Sequence, residues 1–151
     1  MTAVEAGVPV LAGIWTELNA TPFSLRWIDA DGVSTRVLEA GDGPPLVLLH
    51  GTGGHLECYA RNVRDLASDW HVIALDGVGH GYSDKPDVPY HLPIYSDHLV
   101  AVLDALGIAR ATLSGESLGA WISAWTAAHH PDRVDRLVLN TPGNVLMKEH
   151  V

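Results

Sequence analysis

Residues 115–119 read Gly-Glu-Ser-Leu-Gly, and they lie between the apolar run 111–113 and a helix-like segment. The pattern G-x-S-x-G in this position is typical of a nucleophile elbow, a strand-to-helix turn sharp enough to lift the serine hydroxyl clear of the sheet. Larger side chains two positions before and after Ser117 would collide across the turn, which explains Gly115 and Gly119. We expect a strained backbone at Ser117, at a cost of about 1–3 kcal/mol. The stretch therefore predicts that Ser117 is a nucleophile.

A glycine-rich loop, His-Gly-Thr-Gly-Gly at residues 50–54, follows another apolar run. Attack by a serine creates an oxyanion that needs hydrogen-bond donors, each worth about 3–4 kcal/mol. The backbone N–H of Leu118, at the start of the predicted helix, is one expected donor. The N–H of Thr52 is the other, because Gly51 and Gly53 on either side let the backbone approach a ligand closely. We therefore predict an oxyanion hole formed by Thr52 and Leu118.

Three further residues complete the predicted surroundings of this site. Glu116, together with Gly51 and Gly53, is expected to line the substrate pocket. His50 stands at the end of the strand, where the loop must be anchored, so we interpret it as structural rather than as the catalytic base. Asp76 ends an apolar run and precedes spaced glycines, and its carboxylate is expected to cap loop N–H groups.

The partners that a serine nucleophile needs are not evident in this chain. A serine hydroxyl is a weak nucleophile at neutral pH and requires a histidine base oriented by a carboxylate. With this elbow the chain order is Ser, then Asp or Glu, then His. Only 34 residues follow Ser117 in the 151-residue chain, and Asn140 and Asn144 stand where an acid could follow the last strand. We therefore expect a second polypeptide segment to supply the Asp and the His.

Hydrophobic patterns predict one α/β core over residues 24–141. Segments 24–30 and 33–40 flank Asp31-Gly32, a dipeptide favoured in hairpin turns, and predict two antiparallel strands. Continuous apolar runs predict buried parallel strands at 46–49, 70–75, 109–113 and 134–140. Helices are predicted at 56–68, 94–106 and 118–130, and a long loop at 77–93. This order predicts a mostly parallel sheet with helices on both faces.

The ends of the chain have weaker patterns. Residues 1–23 are expected to form an N-terminal arm, and residues 142–151 to begin a connection to a lid. The strand 134–140 would be an apolar sheet edge, which invites pairing with another segment. A homo-oligomer is one open possibility.

Composition excludes several classes of function. A net charge of −9, with nine scattered basic residues, argues against binding to nucleic acid or to an anionic membrane surface. The chain has no apolar run long enough to span a membrane, no metal-ligand pattern and no signal peptide. Its single cysteine, Cys58, excludes an internal disulfide, suits a reducing compartment and is expected to be packed or half-buried on a helix. We therefore expect a cytoplasmic protein that needs no cofactor.

Three motifs together resemble the α/β-hydrolase fold across residues 24–141: the loop 50–54, the pattern Asp-x-x-Gly-x-Gly-x-Ser at 76–83, and the elbow 115–119. Within that superfamily the chain resembles the meta-cleavage-product hydrolases, which cleave C–C bonds in ring-opened aromatic catabolites. The resemblance implies that Ser117 is the nucleophile. It also implies that the chain is the N-terminal portion of the core, about six strands, with a lid and further strands to follow.

The sequence departs from that group at the elbow. The group usually has Asn before the serine and Met or Phe after it, whereas this chain has Glu116 and Leu118. A serine at position 117 argues against epoxide hydrolases and haloalkane dehalogenases, which need a carboxylate nucleophile. Three functions stay open: C–C hydrolysis of a dienoic ketone, hydrolysis of an ester, lactone or thioester, and a non-catalytic role as a receptor or subunit.

Overall fold

The computed structural model describes residues 13–18 and 21–142. Its strands are β1 (Phe23–Ala30), β2 (Val33–Ala40), β3 (Pro45–Leu49), β4 (His71–Leu75), β5 (Ala111–Glu116) and β6 (Val134–Asn140). Its α-helices are α1 (Ala60–Leu66), α2 (Leu92–Ala105) and α3 (Leu118–His129). Short 3₁₀ helices occupy Ile14–Leu18, Leu56–Tyr59 and Pro131–Arg133.

The six strands form one sheet in the order β1-β2-β4-β3-β5-β6. β1 and β2 form the predicted antiparallel hairpin, and Asp31 (φ 54°) and Gly32 (φ 80°) both have the positive φ of a type I′ turn. β2 pairs antiparallel with β4, while β3, β4, β5 and β6 run parallel. The mostly parallel sheet predicted from the sequence is confirmed.

Both faces of the sheet are covered by apolar side chains. In β3, Val47 and Leu49 point into a cluster that includes residues of α2 and α3, whereas Leu46 and Leu48 point into a cluster on the opposite face with Val63 of α1. Because successive side chains of a strand alternate between faces, a strand buried on both sides must be apolar throughout. This explains the continuous apolar runs, and helices on both faces are confirmed.

The predicted helix 56–68 is wrong at its start. A 3₁₀ turn at Leu56–Tyr59 precedes α1, and Tyr59 has φ −97° and ψ 1°, outside the helical range. The N–H of Leu56 donates to Asp76 Oδ1 at 2.7 Å, which holds this turn against the end of β4. A contact to a residue 20 positions away thus replaces the regular helix start that the sequence pattern favours.

Two other boundaries differ from the predictions. α2 begins at Leu92 rather than 94, with Pro93 in its first turn, where a missing N–H costs nothing. β5 runs over Ala111–Glu116 rather than 109–113, because it pairs with β3 on one side and with β6 up to Asn140 on the other. The strand therefore ends immediately before Ser117.

β6 is an edge strand of the sheet, and Leu137, Val138 and Leu139 are 39%, 46% and 43% exposed.

In the predicted arm, the 3₁₀ helix Ile14–Leu18 buries Leu18 in the cluster that contains Val63. The predicted lid connection lies outside the described residues except for residue 142. Cys58 lies in the 3₁₀ helix Leu56–Tyr59, where the residue as a whole is exposed although its thiol is partly shielded from water, so it is not packed into the core as expected. In the described part of the chain, no helix has the length and apolar character needed to cross a membrane.

His98 of α2 is a buried histidine held in its neutral form. The N–H of Val78 donates to its Nδ1 at 3.3 Å, so Nε2 carries the proton and donates to Thr35 Oγ1 at 2.8 Å. The Thr35 hydroxyl in turn donates to the carbonyl of Val33 at 3.0 Å. Burial lowers the pKa of His98 from 6.5 to about 4, because a charged imidazole would lose its hydration there.

We predict that this histidine makes folding sensitive to acid. Between pH 6.5 and about 4 the unfolded chain binds a proton at His98 that the folded chain does not. Stability is therefore lost as the pH falls through this window, by about 3 kcal/mol for this group. Urea unfolding across the window checks the loss, and His98→Asn should make the profile flatter. An equally steep profile in the variant would assign the acid sensitivity to other groups.

Candidate active site

Ser117 occupies the turn between β5 and α3 with φ 51° and ψ −111°. A positive φ is uncommon for a residue with a Cβ, and such strain is concentrated at functional sites. The N–H of Ser117 donates to the carbonyl of Asn140 at the end of β6, at 3.1 Å. Its side chain forms no capping hydrogen bond to the helix that follows. The predicted strain is therefore present, and the partly exposed hydroxyl is not used as a helix cap.

The two glycines of the elbow are required by close backbone contacts. A Cβ on Gly115 would overlap the carbonyl oxygen of Gly119, so the predicted collision across the turn is confirmed. A Cβ on Gly119 would instead overlap the carbonyl oxygen of Leu49 at the end of β3. Gly119 therefore lets the first turn of α3 lie directly on the strand that leads into the 50–54 loop.

We predict that Gly119→Ala destabilises the fold by roughly 3 kcal/mol, because neither the strand backbone nor the helix backbone can yield easily. Gly13→Ala is the matched control, since a Cβ there would meet nothing within 4 Å. Urea unfolding of both variants provides the comparison. Equal free energies of unfolding for the two variants would show that α3 does not lie in close contact with the carbonyl of Leu49.

The 50–54 loop forms a tight turn beside the elbow. The N–H of Gly54 donates to the carbonyl of Gly51 at 3.0 Å, and Gly53 has φ 73°, as a type II turn requires. A Cβ built on Gly51 would lie 3.1 Å from the Cβ of Ser117, so the loop contacts the elbow at this glycine. Thr52 and Gly53 are exposed at the tip of the turn. As the first residue of α3, Leu118 has an N–H with no acceptor inside the helix.

His50 anchors the loop, as the sequence predicts. Its Nδ1 lies 2.8 Å from the carbonyl of Gly51, and its Nε2 accepts the N–H of Gly77 at 3.1 Å. Nδ1 therefore carries the proton, and both ring nitrogens are engaged. Burial lowers the pKa of His50, which favours this neutral form. The ring links the loop after β3 to the loop after β4 and is not available as a base for Ser117.

Asp76 also has the predicted capping role. Its Oδ1 accepts the N–H of Leu56 at 2.7 Å, and its Oδ2 accepts the N–H of Tyr82 at 2.8 Å. Its side chain is fully buried. Because a buried carboxylate must be hydrogen-bonded, Asp76 ties the two loops together at the carboxyl edge of the sheet.

Sequence reasoning missed the buried Arg36, which joins this arrangement from β2. Its Nη2 lies 2.5 Å from Glu57 Oε1, and its Nη1 lies 3.4 Å from Asp76 Oδ2. The other carboxylate oxygen of Glu57 is 2.7 Å from His55 Nδ1. A signal was present, because the period of two along the strand places Arg36 on the same face as the buried Leu38. A cation on a buried face requires carboxylates nearby.

Glu116 is the last residue of β5 and lies against the same glycine as Ser117. A Cβ on Gly51 would lie 2.5 Å from Glu116 Oε2. Burial, followed by the negative charge of Glu116, raises the pKa of the Cys58 thiol to about 11. Burial also raises the pKa of Tyr59, whose hydroxyl donates to the carbonyl of Leu49 at 2.8 Å, and Glu116 contributes to that shift.

The described residues give Ser117 no histidine partner. Within residues 13–18 and 21–142, Ser117 Oγ has no hydrogen bond to a histidine, and no group of three or more metal-ligating side chains occurs. A small cavity of about 20 Å³ beside Leu118 is lined by His50, His80 and Tyr95, among others. An open groove of about 830 Å³ between Phe23, Glu39 and Arg64 does not include Ser117. The candidate site therefore lies at the elbow, where the strained Ser117 and the 50–54 loop meet.

The sheet order, the strained serine and the adjoining glycine loop define an α/β-hydrolase core. A family model described as alpha/beta hydrolase fold matches residues 44–151. The chain belongs to this family.

Several named hydrolases are similar to this chain. The chain is 42% identical over 118 residues to a 2-hydroxymuconate semialdehyde hydrolase of Pseudomonas sp. (strain CF600), a match that covers 76% of this chain and 42% of that protein. A membrane phospholipase A described as a bacterial virulence factor has TM-score 0.82 and 32% identity, over 87% of this chain and 43% of that one. A meta-cleavage product hydrolase from Pseudomonas fluorescens IP01 has TM-score 0.71 and 36% identity, over 76% and 43%. The chain thus spans less than half the length of these relatives.

Proposed function

We propose that this chain carries the nucleophile of a serine hydrolase that cleaves a C–C bond next to a carbonyl in a ring-opened aromatic catabolite. The observation that carries the proposal is the strained Ser117 at the end of β5, with Gly51 of the neighbouring loop against it. Similarity to a 2-hydroxymuconate semialdehyde hydrolase and to a meta-cleavage product hydrolase supports the choice of substrate.

The proposed mechanism gives each residue one task. A histidine first assists the conversion of the dienol substrate to its keto form. Ser117 Oγ then attacks the carbonyl carbon and gives its proton to the histidine, while the N–H groups of Thr52 and Leu118 hold the oxyanion. The C–C bond breaks and the departing carbon takes a proton. Water finally releases the acyl group from Ser117.

The acid and base belong, in this proposal, to a second polypeptide segment. β6 presents an exposed apolar edge on which a further strand can pair, and the N–H of Ser117 is bonded to the last residue of β6. A segment added there would lie on the far side of β6, about two strand spacings or about 10 Å from the strand that ends at Ser117. We call this chain together with that segment the completed protein, and the single cysteine supports a cytoplasmic location for it.

Ester hydrolysis is the second candidate function. The similarity to a phospholipase A, at TM-score 0.82, favours it. The same nucleophile and oxyanion donors suffice, since an ester, lactone or thioester needs only acyl transfer and no ketonisation step.

Two substrates separate these functions in the completed protein. Hydrolysis of a dienoic ketone at a rate well above that of a nitrophenyl ester supports C–C cleavage, and the reverse preference supports the esterase. Turnover of neither substrate would contradict both and favour a non-catalytic receptor or subunit. Full activity of the 151-residue chain alone would contradict the need for a second segment.

A further inference from the structure

We propose that Glu116 makes the nucleophile site select substrates by charge. A positively charged group near the scissile carbonyl is favoured over a neutral one, and a carboxylate at that position is disfavoured. The proposal rests on the proposed function and adds a determinant of substrate class to it.

The carboxylate of Glu116 lies beside the 50–54 loop and close to Ser117. The point where Gly51 would carry a Cβ is 2.5 Å from Glu116 Oε2 and 3.1 Å from Ser117 Cβ. The distance between the carboxylate oxygen of Glu116 and the Cβ of Ser117 therefore cannot exceed the sum of these two distances. A side chain at position 51 would displace the Glu116 carboxylate from this place. A substrate whose carbonyl reaches Ser117 must come close to this charge.

No cation of the described residues neutralises Glu116. Within residues 13–18 and 21–142 its carboxylate takes part in no ion pair or side-chain hydrogen bond, and the residue is exposed. Arg36 and His55 both contact Glu57, at 2.5 and 2.7 Å. The described residues therefore leave the negative charge of Glu116 without an ion-pair partner beside the elbow.

This field has a specific effect on catalysis. The tetrahedral intermediate develops negative charge on the carbonyl oxygen, and a carboxylate nearby opposes it. A cationic group on the substrate offsets the repulsion, whereas a second carboxylate adds to it. For single charges several ångströms apart at a partly exposed site, the difference amounts to about tenfold in kcat/KM. A dienoate substrate is then expected to hold its own carboxylate away from Glu116.

Three matched esters test the selection in the completed protein. They are nitrophenyl esters whose acyl chains end in a trimethylammonium, a tert-butyl or a carboxylate group. We expect kcat/KM to fall in that order, with about a tenfold span between the two charged esters. Glu116→Gln should bring the three values together. Asp132→Asn, the same change of charge in the 3₁₀ helix Pro131–Arg133 that follows α3, should leave the span intact. A span that is unchanged in Glu116→Gln would overturn the proposal.

A second measurement does not depend on turnover. The alkylation rate of Cys58 at a fixed, mildly alkaline pH reports the field of Glu116 directly. We expect it to rise a few-fold in Glu116→Gln, because the thiol loses a nearby negative charge, and to stay constant in Asp132→Asn. If Glu116→Gln accelerates the alkylation of Cys58 but no ester is hydrolysed, the charge lies where we propose and the proposed function is wrong. If the esters are hydrolysed at rates that do not depend on their charge, the proposed function is supported and the proposed charge selection is wrong.

Discussion

Ser117→Ala is expected to reduce kcat of the completed protein by a factor on the order of 10⁴ or more. The variant keeps the strained turn and the loop but has no hydroxyl to attack the carbonyl. Because the β5–α3 turn is fixed by Gly115 and Gly119 rather than by the serine side chain, the fold should be preserved. Initial rates on the preferred substrate, with a thermal unfolding curve for each protein, give the comparison.

The control for this change is Ser68→Ala, which removes an exposed hydroxyl that donates to the carbonyl of Asp65 and to the carboxylate of Asp69. It should leave the rate unchanged. If Ser117→Ala kept more than a tenth of the activity, catalysis would have to proceed without a covalent intermediate on this residue.

Thr52→Pro is expected to lower kcat by roughly 10²–10³-fold, because it removes one of the two N–H donors proposed to hold the oxyanion. The turn itself should tolerate the change. Residues 51–54 form a type II turn in which Thr52 is the second residue, a position where proline is common. The variant thus removes a donor with little disturbance of the loop.

Thr52→Ala is the matched control, since it removes the hydroxyl and keeps the N–H. Steady-state kinetics should show a large loss of kcat in the proline variant and almost none in the alanine variant. Equal losses in both would assign the role to the side chain, and no loss in either would place the oxyanion elsewhere.

The sequence predicts the parts of the fold that depend on local patterns. The Asp31-Gly32 turn, the apolar runs buried on both faces and the glycines around Ser117 each have a local cause, and the structure confirms them. The structure also confirms the anchoring role predicted for His50 and the capping role predicted for Asp76, because a polar residue at the end of a buried strand has few possible partners.

The features that the sequence did not predict depend on residues far apart in the chain. The 3₁₀ turn at Leu56–Tyr59 is held by Asp76, and β5 continues to Glu116 because β3 and β6 pair with it. The buried Arg36 became evident only when the fold brought Glu57 and Asp76 to it. Helical and strand periodicity carry no information on such pairings, so these boundaries and this ion cluster required the structure.

The most direct test of the account is the site of covalent modification by a fluorophosphonate in the completed protein. Intact mass followed by peptide mapping should show one adduct, on the peptide that contains Ser117, and no adduct after Ser117→Ala. An adduct on another residue, or an unmodified protein that still hydrolyses its substrate, would contradict the claim that the hydroxyl between β5 and α3 is the nucleophile.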